Sequence, residues 1–363
     1  MKNGLLLLVL LCLLSCVENN RNDEVESINF DKIVDVKLEE LISIDGVIKL
    51  DEVDEALFRT VSQMKVINNK LYILDMSLNK IFCFGIDGSF EKVLSKSGQG
   101  PGEYAQLTSF DVDLSSGKLI VTDSDIKTLI YNLNTFEFIQ ELDKTIGYSI
   151  CVHNDRYVGF NYLKLIRESR SYNDYIIIAD SLLNVINNVL PIEYETGYIM
   201  FPSSRFYKHN KELLTFMPFD NKIYEFRDDS FFPKYSLFFG NNTVYNPKVL
   251  KNKDAGYNYL RDLKNSKYVW SVNPIEVDNS LIVGYRCGNT SYLGLYDKNN
   301  KSTICYEFKN MSESSLFSNI QHLNFNNIIT VVSSNVLSNI NMLGYDEQDV
   351  DSEGYYIVRL KVL

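Results

Sequence analysis

A glycine-rich segment at residues 97–104 is the part of this sequence that comes closest to a chemical motif. It reads Ser-Gly-Gln-Gly-Pro-Gly-Glu-Tyr, and its notable members are Gly98, Gly100, Pro101, Gly102, Glu103 and Tyr104. Backbone N–H groups and the Glu103 carboxylate would suit a ligand site, but no Lys-Ser/Thr pair follows, which excludes a phosphate-binding P-loop. We favour a structural role, because glycines permit positive φ and proline restricts φ, so that the chain can change direction over few residues.

Basic and aromatic side chains form a second candidate for binding chemistry. They are Lys164, Arg167, Arg170, Tyr194, Tyr198, Arg205 and Arg286. Guanidinium groups bind carboxylates through paired hydrogen bonds, and tyrosine combines an apolar ring with a polar tip, so the set suits an anionic or sugar-like ligand. The alternative is that the charges are solvated and the tyrosines are packed. Asp75 and Asp123 stand at equivalent strand ends, where we expect them to cap turns.

Metal and nucleophile chemistry has little support in the sequence. His153 and His209 occupy equivalent positions in two repeats, whereas His322 lies within a predicted strand. Beyond the N-terminal segment the cysteines are Cys83, Cys151, Cys287 and Cys305. No zinc-ligand spacing, nucleophile elbow or Ser/His/Asp order is visible. We therefore expect no metal, no cofactor, and four buried cysteines without a disulfide.

The elements that would position these residues recur along the chain. Each repeat is a short apolar strand, a polar turn rich in Asn or Asp, and a longer apolar strand. The six copies span residues 63–75, 110–123, 149–160, 205–216, 274–285 and 320–332. After each of the first five copies come two more strands joined by a turn, such as Asp87-Gly88, so that each unit has four strands.

The spacing of the repeats predicts their architecture. The turns between the last two strands centre on Asp87, Asn134, Ser181 and Asp228, each 47 residues after the one before, and the next centres on Lys298, 70 residues later. A period of this length with four strands per unit is typical of β-propeller blades. The longer interval predicts an insertion at about residues 241–270, with a helix around residues 248–264.

The composition of the strands favours the same architecture. Residues 71–74, 119–121 and 175–178 are apolar at consecutive positions, which predicts strands that are buried on both faces between neighbouring blades. We predict an all-β fold over residues 28–363, namely a six-bladed β-propeller of four-stranded antiparallel blades. The sixth repeat lacks an outer strand. We expect an N-terminal strand from within residues 33–44 to supply it and to remove the free sheet edge.

The N-terminus has the features of a targeting segment. Lys2 precedes an apolar stretch, residues 5–14, that is too short to span a bilayer as a helix. It ends in Leu-Leu-Ser-Cys, which resembles the lipobox cleaved by lipoprotein signal peptidase, although a residue smaller than Leu14 is more usual. The resemblance implies that residues 1–15 are removed and that Cys16 carries palmitate-type acyl chains. The polar composition that follows predicts a flexible tether over residues 16–27. The alternative is an ordinary secretory signal with an incidental cysteine.

The charge of the chain limits its partners. Lys and Arg number 36 and Asp and Glu number 47, which gives a net charge of −11. An acidic chain repels phosphate backbones, so we expect no nucleic-acid partner. We expect a monomer that contacts the membrane through its N-terminal lipid.

The segments 47–75, 87–94 and 97–104 together resemble the six-bladed β-propeller lipoproteins of Bacteroidota, which are related to NHL-type propellers. Their hallmark is a G-x-G-P-G-E-[YF] loop, and residues 98–104 match it throughout. The resemblance covers nearly the whole mature chain. It implies a location in the cell envelope, as an outer-membrane lipoprotein that faces the periplasm or the cell surface. Most members of the family have no known activity, so the resemblance does not indicate one here.

Two classes of function fit this fold. One is a module that binds a glycan, peptide or protein without catalysis, and the other is a propeller enzyme, a lyase or hydrolase acting on a saccharide or peptide. We favour the binding module. By fold-level analogy, the ligand site of a propeller lies on the face that carries the blade-to-blade crossings. Converging ionisable groups at that channel mouth would favour an enzyme, whereas Asn, Ser and aromatic side chains would favour binding.

One modification signal is also present. Asp180-Ser181-Leu182 matches the short acceptor pattern for O-glycosylation in Bacteroidota. A plain turn at Ser181 is the alternative.

Overall fold

Six β-sheets surround a central axis in the structure, a computed structural model. The residues that it describes are 24–124, 126–161, 174–192, 205–217, 219–244, 257–324, 326–340, 350–351 and 353–363. Two strands precede the blades in the chain, β1 (Glu26–Asn29) and β2 (Ile42–Lys49), and each joins a blade formed by later strands. The predicted six-bladed β-propeller is therefore confirmed.

Blades one to three are four-stranded antiparallel meanders that run outward from the axis. Blade one consists of β3 (Gln63–Ile67), β4 (Lys70–Asp75), β5 (Lys80–Gly85) and β6 (Phe90–Leu94). Blade two consists of β7 (Leu107–Asp113), β8 (Lys118–Asp123), β9 (Lys127–Asn132) and β10 (Phe138–Leu142). Blade three consists of β11 (Ser149–His153), β12 (Arg156–Phe160), β13 (Asp174–Ala179) and β14 (Val185–Pro191).

Blades four to six repeat this plan, and blades four and six each take up an N-terminal strand. Blade four contains β15 (Phe206–His209), β16 (Glu212–Phe216), β17 (Lys222–Arg227) and β18 (Ser230–Phe238). Blade five contains β19 (Val269–Glu276), β20 (Ser280–Cys287), β21 (Thr290–Asp297) and β22 (Ser302–Glu307). Blade six contains β23 (Gln321–Asn324), β24 (Asn327–Ser333) and β25 (Tyr355–Val362).

Short helices lie in the connections between strands. They are α1 (Tyr257–Lys264), α2 (Met311–Ser315) and α3 (Ser334–Leu337), with single 3₁₀ turns at Leu38–Glu40 and Asp54–Ala56. Helix α1 lies in the predicted insertion and buries Leu263 against Trp270. Strand β19 already begins at Val269, so the insertion ends slightly earlier than predicted. None of the helices in the described ranges has the length and apolar composition of a membrane span.

The core consists of apolar layers between adjacent blades. Strand β4 illustrates the arrangement, because its side chains alternate between two of these layers. Leu71 and Ile73 pack in one cluster with blade six, whereas Tyr72 and Leu74 pack in another with blade two. All four are buried. The continuous apolar runs in the sequence therefore arise from strands with two buried faces, as predicted.

An N-terminal strap, residues 26–49, crosses the outer edges of three successive blades. Strand β1 pairs in parallel with β18 of blade four, the backbone of Val34 donates to the Cys305 carbonyl of blade five at 2.9 Å, and β2 pairs with β25 of blade six. The closing strand is β2 at residues 42–49, so the predicted range of 33–44 is wrong in its boundaries. The predicted tether to residue 27 is also two residues too long, because Glu26 already belongs to β1. The reason is that the strap covers blades four and five before it reaches blade six.

A buried ion cluster ties the inner strands together at the axis. Asp111 of β7 is fully buried, and its carboxylate lies 2.7 Å from Lys65 Nζ of β3 and 3.4 Å from Lys208 Nζ of β15. It also accepts a hydrogen bond from the backbone N–H of Val152 in β11 at 2.7 Å. Burial alone would raise the pKa of Asp111, but the ammonium groups of Lys208 and Lys65 outweigh it and hold that pKa far below its usual range. The Asp111 carboxylate, through its ion pairs and its hydrogen bond, therefore links blades one to four.

The cysteines mostly follow the prediction. All four are free, and Cys83, Cys151 and Cys305 are buried. Cys287 is only half-buried, which corrects the expectation that all four would be core residues. It lies at the end of β20, and β21 separates it from Cys305 in β22.

Candidate functional site

The two faces of the propeller carry different kinds of loop. We call the crossing face the one that carries the blade-to-blade crossings and the turns between second and third strands. We call the hairpin face the one that carries the turns between first and second strands and between third and fourth strands. The glycine-rich loop and Arg286 lie on the crossing face, and His209 lies on the hairpin face.

The glycine-rich loop between β6 and β7 uses its polar groups internally. The Glu103 carboxylate accepts a hydrogen bond from the backbone N–H of Gly100 at 2.8 Å, and the N–H of Gly98 donates to the Tyr104 carbonyl at 3.0 Å. The buried Tyr104 hydroxyl donates to the Leu94 carbonyl at 3.2 Å and accepts from the N–H of Lys96 at 2.9 Å. Burial raises the pKa of Tyr104 to about 12. This geometry supports the structural role of the loop.

The glycines of this loop serve two different purposes. Gly102 alone among the three has a positive φ, +73°. Gly98 and Gly100 instead make room for Glu103, because an added Cβ would lie 2.0 and 3.1 Å from its Oε2 atom. The expectation that all three glycines supply positive φ is therefore wrong for two of them. Gly98 and Gly100 are needed because the Glu103 side chain lies too close to leave room for a Cβ atom.

Two aspartates at equivalent strand ends cap the segments that enter blades one and two. The Asp75 carboxylate accepts hydrogen bonds from the backbone N–H groups of Arg59 at 2.6 Å and Leu78 at 3.0 Å. Asp123 accepts in the same way from Ala105 at 2.9 Å and Gln106 at 2.7 Å. Both side chains are buried. The structure confirms that they cap turns.

The basic and aromatic candidates fall into three groups. Lys164, Arg167, Arg170, Tyr194 and Tyr198 lie outside the described residues, as do the signal segment and Cys16. Arg205 is buried, and its guanidinium carbon lies 5.4 Å from the Phe160 ring and 4.8 Å from the Phe216 ring. Arg286 is exposed and lines a groove. Arg205 thus packs between blades three and four, and Arg286 is the candidate that the structure places at an accessible site.

The groove at Arg286 lies where blade five meets the crossing into blade six, and its volume is about 320 Å³. Its polar lining consists of Ser271, Asn273, Arg286, Ser291, Ser314, Ser318 and Asn319, and its aromatic lining consists of Tyr285, Tyr292, Phe308 and Phe317. Most of these residues come from β19, β20, β21 and the segment around α2. The rings of Tyr285 and Tyr292 stack at 5.0 Å with an interplanar angle of 15°. They give the groove a rigid aromatic wall.

The electrostatics of the groove contrast with the acidic chain around it. No Asp or Glu occurs among the described residues that line it, and Arg286 supplies its positive charge. The Arg286 guanidinium lies 5.8 Å from the ring of Trp270, and in the described part of the chain no carboxylate pairs with it. Trp270 is itself fixed by a hydrogen bond from Nε1 to the Gly288 carbonyl at 2.8 Å. The groove can therefore accept an anionic group without first breaking an internal ion pair.

A third constellation, on the hairpin face, brings together side chains of metal-ligand type. His209 at the end of β15, Asp278 in the turn after β19, and His322 in β23 place ligand atoms within 4.8 Å of one another. His209 Nε2 lies 3.4 Å from Asp278 Oδ1, and the rings of His209 and His322 are 4.8 Å apart. Burial is the main factor that lowers the pKa of His209, so the neutral imidazole is favoured. His153, the equivalent of His209 in blade three, packs instead on Phe226 at 5.5 Å.

Sequence reasoning missed this constellation and expected no metal ligands. It paired His209 with His153 because both follow an inner strand in adjacent repeats. The structure pairs His209 with His322, because the inner strands of blades four and six converge at the axis. No motif or repeat position in the sequence singled out Asp278. All three residues lie on the innermost strand of a blade or in the turn that follows it, and these elements meet at the hairpin-face end of the axis. The shared position of His and Asp side chains in these elements is the signal that could have identified the set.

Comparisons with known proteins agree with this architecture. A family model described as a 6-bladed beta-propeller, DUF5128, matches residues 17–330. A candidate exported protein of Bacteroides fragilis NCTC 9343 shares the fold with a TM-score of 0.79 and 24% identity, covering 93% of this chain and 99% of that one. A member of the DUF4221 family from Bacteroides vulgatus ATCC 8482 has a TM-score of 0.54 and 13% identity, covering 90% and 100%. No curated protein matches the chain. With six blades in the structure and a family model spanning most of its length, the chain belongs to the DUF5128 family of six-bladed β-propellers.

Proposed function

We propose that the protein is an exported, lipid-anchored module that binds an acidic saccharide in the blade-five groove. The observation that carries this proposal is the single guanidinium of Arg286, without a carboxylate partner in the described residues, among hydroxyl, amide and aromatic groups. We further propose that the protein acts as a monomer.

The chemistry of the lining fits a saccharide that bears a carboxylate. A guanidinium can bind a carboxylate through two parallel hydrogen bonds. The serine hydroxyls and the amides of Asn273 and Asn319 can exchange hydrogen bonds with sugar hydroxyls. The stacked pair Tyr285 and Tyr292 offers an apolar, conformationally restricted surface beside these polar groups. Such a mixture of aromatic walls and few placed polar groups is common in small-ligand sites.

The same lining argues against catalysis in the groove. Glycoside hydrolysis commonly needs two carboxylates about 5–9.5 Å apart, and the part of the lining that the structure describes contains no Asp or Glu. Asn and Ser side chains predominate among its polar groups instead. A binding module therefore fits this site better than the alternative of a lyase or hydrolase.

The protein contains a built-in reporter for this proposal. Trp270 is its single tryptophan, and it lies next to Arg286. We expect acidic saccharides, such as uronic-acid oligosaccharides, to change Trp270 fluorescence in a saturable manner and to raise the thermal midpoint of the protein in detergent. Neutral saccharides should bind at least 10-fold more weakly.

Two substitutions on the groove test its location. Arg286→Gln should weaken binding at least 10-fold because it removes the charge. Gly284→Val should block the groove from within, since the nearest atom to an added Cβ is the Asn273 carbonyl at 3.8 Å, which leaves the fold undisturbed. Arg261→Gln on exposed α1 is the matched control and should bind as the wild type does. Equal affinity for Arg286→Gln and the wild type would exclude the groove as the site, and a response only to peptides would replace the saccharide by a peptide partner.

The anchoring part of the proposal rests on the sequence. The candidate exported protein of Bacteroides fragilis shares this fold, and the N-terminal segment resembles a lipoprotein signal that ends at Cys16. Nine residues lie between Cys16 and Glu26, the first residue of β1, so the ten residue steps span at most about 36 Å. The propeller would thus stay close to the membrane, with blade four nearest to the anchor. We propose the outer membrane as its location and the NHL-like propeller lipoproteins of Bacteroidota as its relatives.

Cys16→Ala distinguishes this anchor from an ordinary secretory signal. We expect the wild-type protein to sediment with membranes and its N-terminal peptide to carry acyl mass. Cys16→Ala should accumulate as an unprocessed precursor, because lipoprotein signal peptidase requires the modified cysteine. If Cys16→Ala is instead cleaved and released as a soluble protein, the segment is a secretory signal and the lipid anchor is excluded.

A further inference from the structure

We propose that His209, Asp278 and His322 bind one divalent transition-metal ion of the zinc type at the hairpin-face end of the axis. This site lies on the face opposite to the saccharide groove and does not depend on it. The three residues come from blades four, five and six, so a bound ion would join three blades.

The geometry of one ligand pair already matches a metal centre. Zinc ligands stand about 2.0–2.2 Å from the ion, so two of them in a tetrahedral site lie about 3.3–3.5 Å apart. The separation of His209 Nε2 and Asp278 Oδ1 is 3.4 Å. The full set lies within 4.8 Å, so His322 has to approach by somewhat more than 1 Å. Its side chain is only half-buried, and rotation about its side-chain bonds can supply that movement.

The two ring nitrogens of His209 have different surroundings. The side chain of His209 is buried, yet its Nδ1 atom has no hydrogen-bond partner among the described residues. Its Nε2 atom contacts Asn210 Nδ2 at 3.0 Å, besides Asp278. Nε2 is therefore the nitrogen that faces Asp278 and the one that we assign to the metal ion.

The donor set selects the class of metal. Two imidazoles and one carboxylate suit Zn²⁺ and its transition-metal neighbours, whereas Mg²⁺ and Ca²⁺ prefer oxygen ligands. Three protein ligands leave a fourth position for water or another small ligand.

Metal binding to the full-length protein in detergent, purified without a polyhistidine tag, tests the site. We expect isothermal titration with Zn²⁺ to give one site per chain with a dissociation constant at or below the micromolar range. Co²⁺ should produce the visible absorption bands of a four-coordinate nitrogen and oxygen site. Zn²⁺ should also raise the thermal midpoint, because the ion binds the folded state.

Conservative variants separate ligand loss from misfolding. Asp278→Asn and His322→Asn replace partly exposed ligands, and each should weaken Zn²⁺ binding at least 10-fold while keeping the metal-free thermal midpoint near that of the wild type. His153→Asn, at the equivalent position of blade three, is the control and should bind Zn²⁺ normally. The proposal fails if the wild type takes up no Zn²⁺, if both ligand variants bind as tightly as the wild type, or if His153→Asn loses binding to the same degree.

Discussion

The glycine-rich loop and the blade-five groove lie on the same face of the propeller but use their polar groups in opposite ways. In the loop, the Glu103 carboxylate and the Tyr104 hydroxyl are bound to nearby backbone groups. In the groove, Arg286 has an aromatic neighbour, Trp270, and no carboxylate partner in the described chain. The polar groups of the segment with the strongest sequence signature are therefore satisfied internally, whereas the groove contains a guanidinium that no described carboxylate neutralises.

This difference indicates that a recurrent sequence motif can arise from a requirement of the fold. The crossing from blade one to blade two needs a tight, hydrogen-bonded path, and few residue types can form it. A binding groove has no such local constraint, since its residues come from separate strands and a helix. The contrast predicts that substitutions in satisfied regions change stability, whereas substitutions in the groove change binding.

The axial ion cluster should show the largest stability effect. Asp111→Ala leaves Lys65 and Lys208 without their shared carboxylate, and breaking a buried pair in this way costs about 3–5 kcal/mol. Urea unfolding of the purified protein measures the loss. Asp113→Ala, which removes a turn cap on the same strand, is the control and should cost about 1 kcal/mol. An equal loss for the two variants would show that the cluster is not a special source of stability.

The loop should show the next largest effect. Gly102→Ala imposes a side chain at φ +73° and places Cβ 2.5 Å from Phe138 Cγ, so we expect a loss of about 2–3 kcal/mol. Gly117→Ala has a similar φ, +64°, with no atom within 4 Å, and should cost only the backbone strain of about 1–2 kcal/mol. The thermal midpoints of both variants measure this difference. A loss of saccharide binding by folded Gly102→Ala would overturn the view that the loop is purely structural.

Gly284 and Gly294, both in blade five, differ in the space around them. An added Cβ at Gly294 would lie 2.8 Å from the buried ring of Phe30 in the strap, so Gly294→Val should destabilise the fold by about 1–3 kcal/mol. Gly284→Val meets no such obstacle and should leave stability within about 0.5 kcal/mol while it abolishes groove binding. Chemical unfolding and Trp270 fluorescence separate the two outcomes. The reverse pattern would contradict the assignment of the groove.

Low pH should destabilise the fold by protonating carboxylates that are ion-paired or hydrogen-bonded in the folded state. The pKa of Asp111 is lower in the folded state than in the unfolded chain, so its contribution is present above about pH 4 and is lost as pH falls further. Asp111→Asn should reduce the slope of unfolding free energy against pH below pH 4 by up to about 1.4 kcal/mol per unit. An unaltered slope for Asp111→Asn would contradict the assigned pKa direction.

Much of the fold was predictable because its signals are local. The turn at Asp87-Gly88 and its repeats at a 47-residue spacing predicted both the blade size and the strand order. The path of the strap was not predictable to the residue, because its pairing with β18, β22 and β25 depends on sheet edges far away in sequence. Of the accessible site, Arg286 was predicted, whereas the stacked tyrosines and the serines that surround it were not.

Local signals in the sequence specify the number of blades, their four-stranded plan and the segments that cross between them, because strand periodicity and turn chemistry act over short distances. Which side chains meet depends on how the chain folds in three dimensions. It brought His209 together with Asp278 and His322, placed Asp111 between two lysines, and left Arg286 beside Trp270. The physical reason is that closing the ring sets residues from separate blades side by side, and no local pattern in the chain encodes those distances.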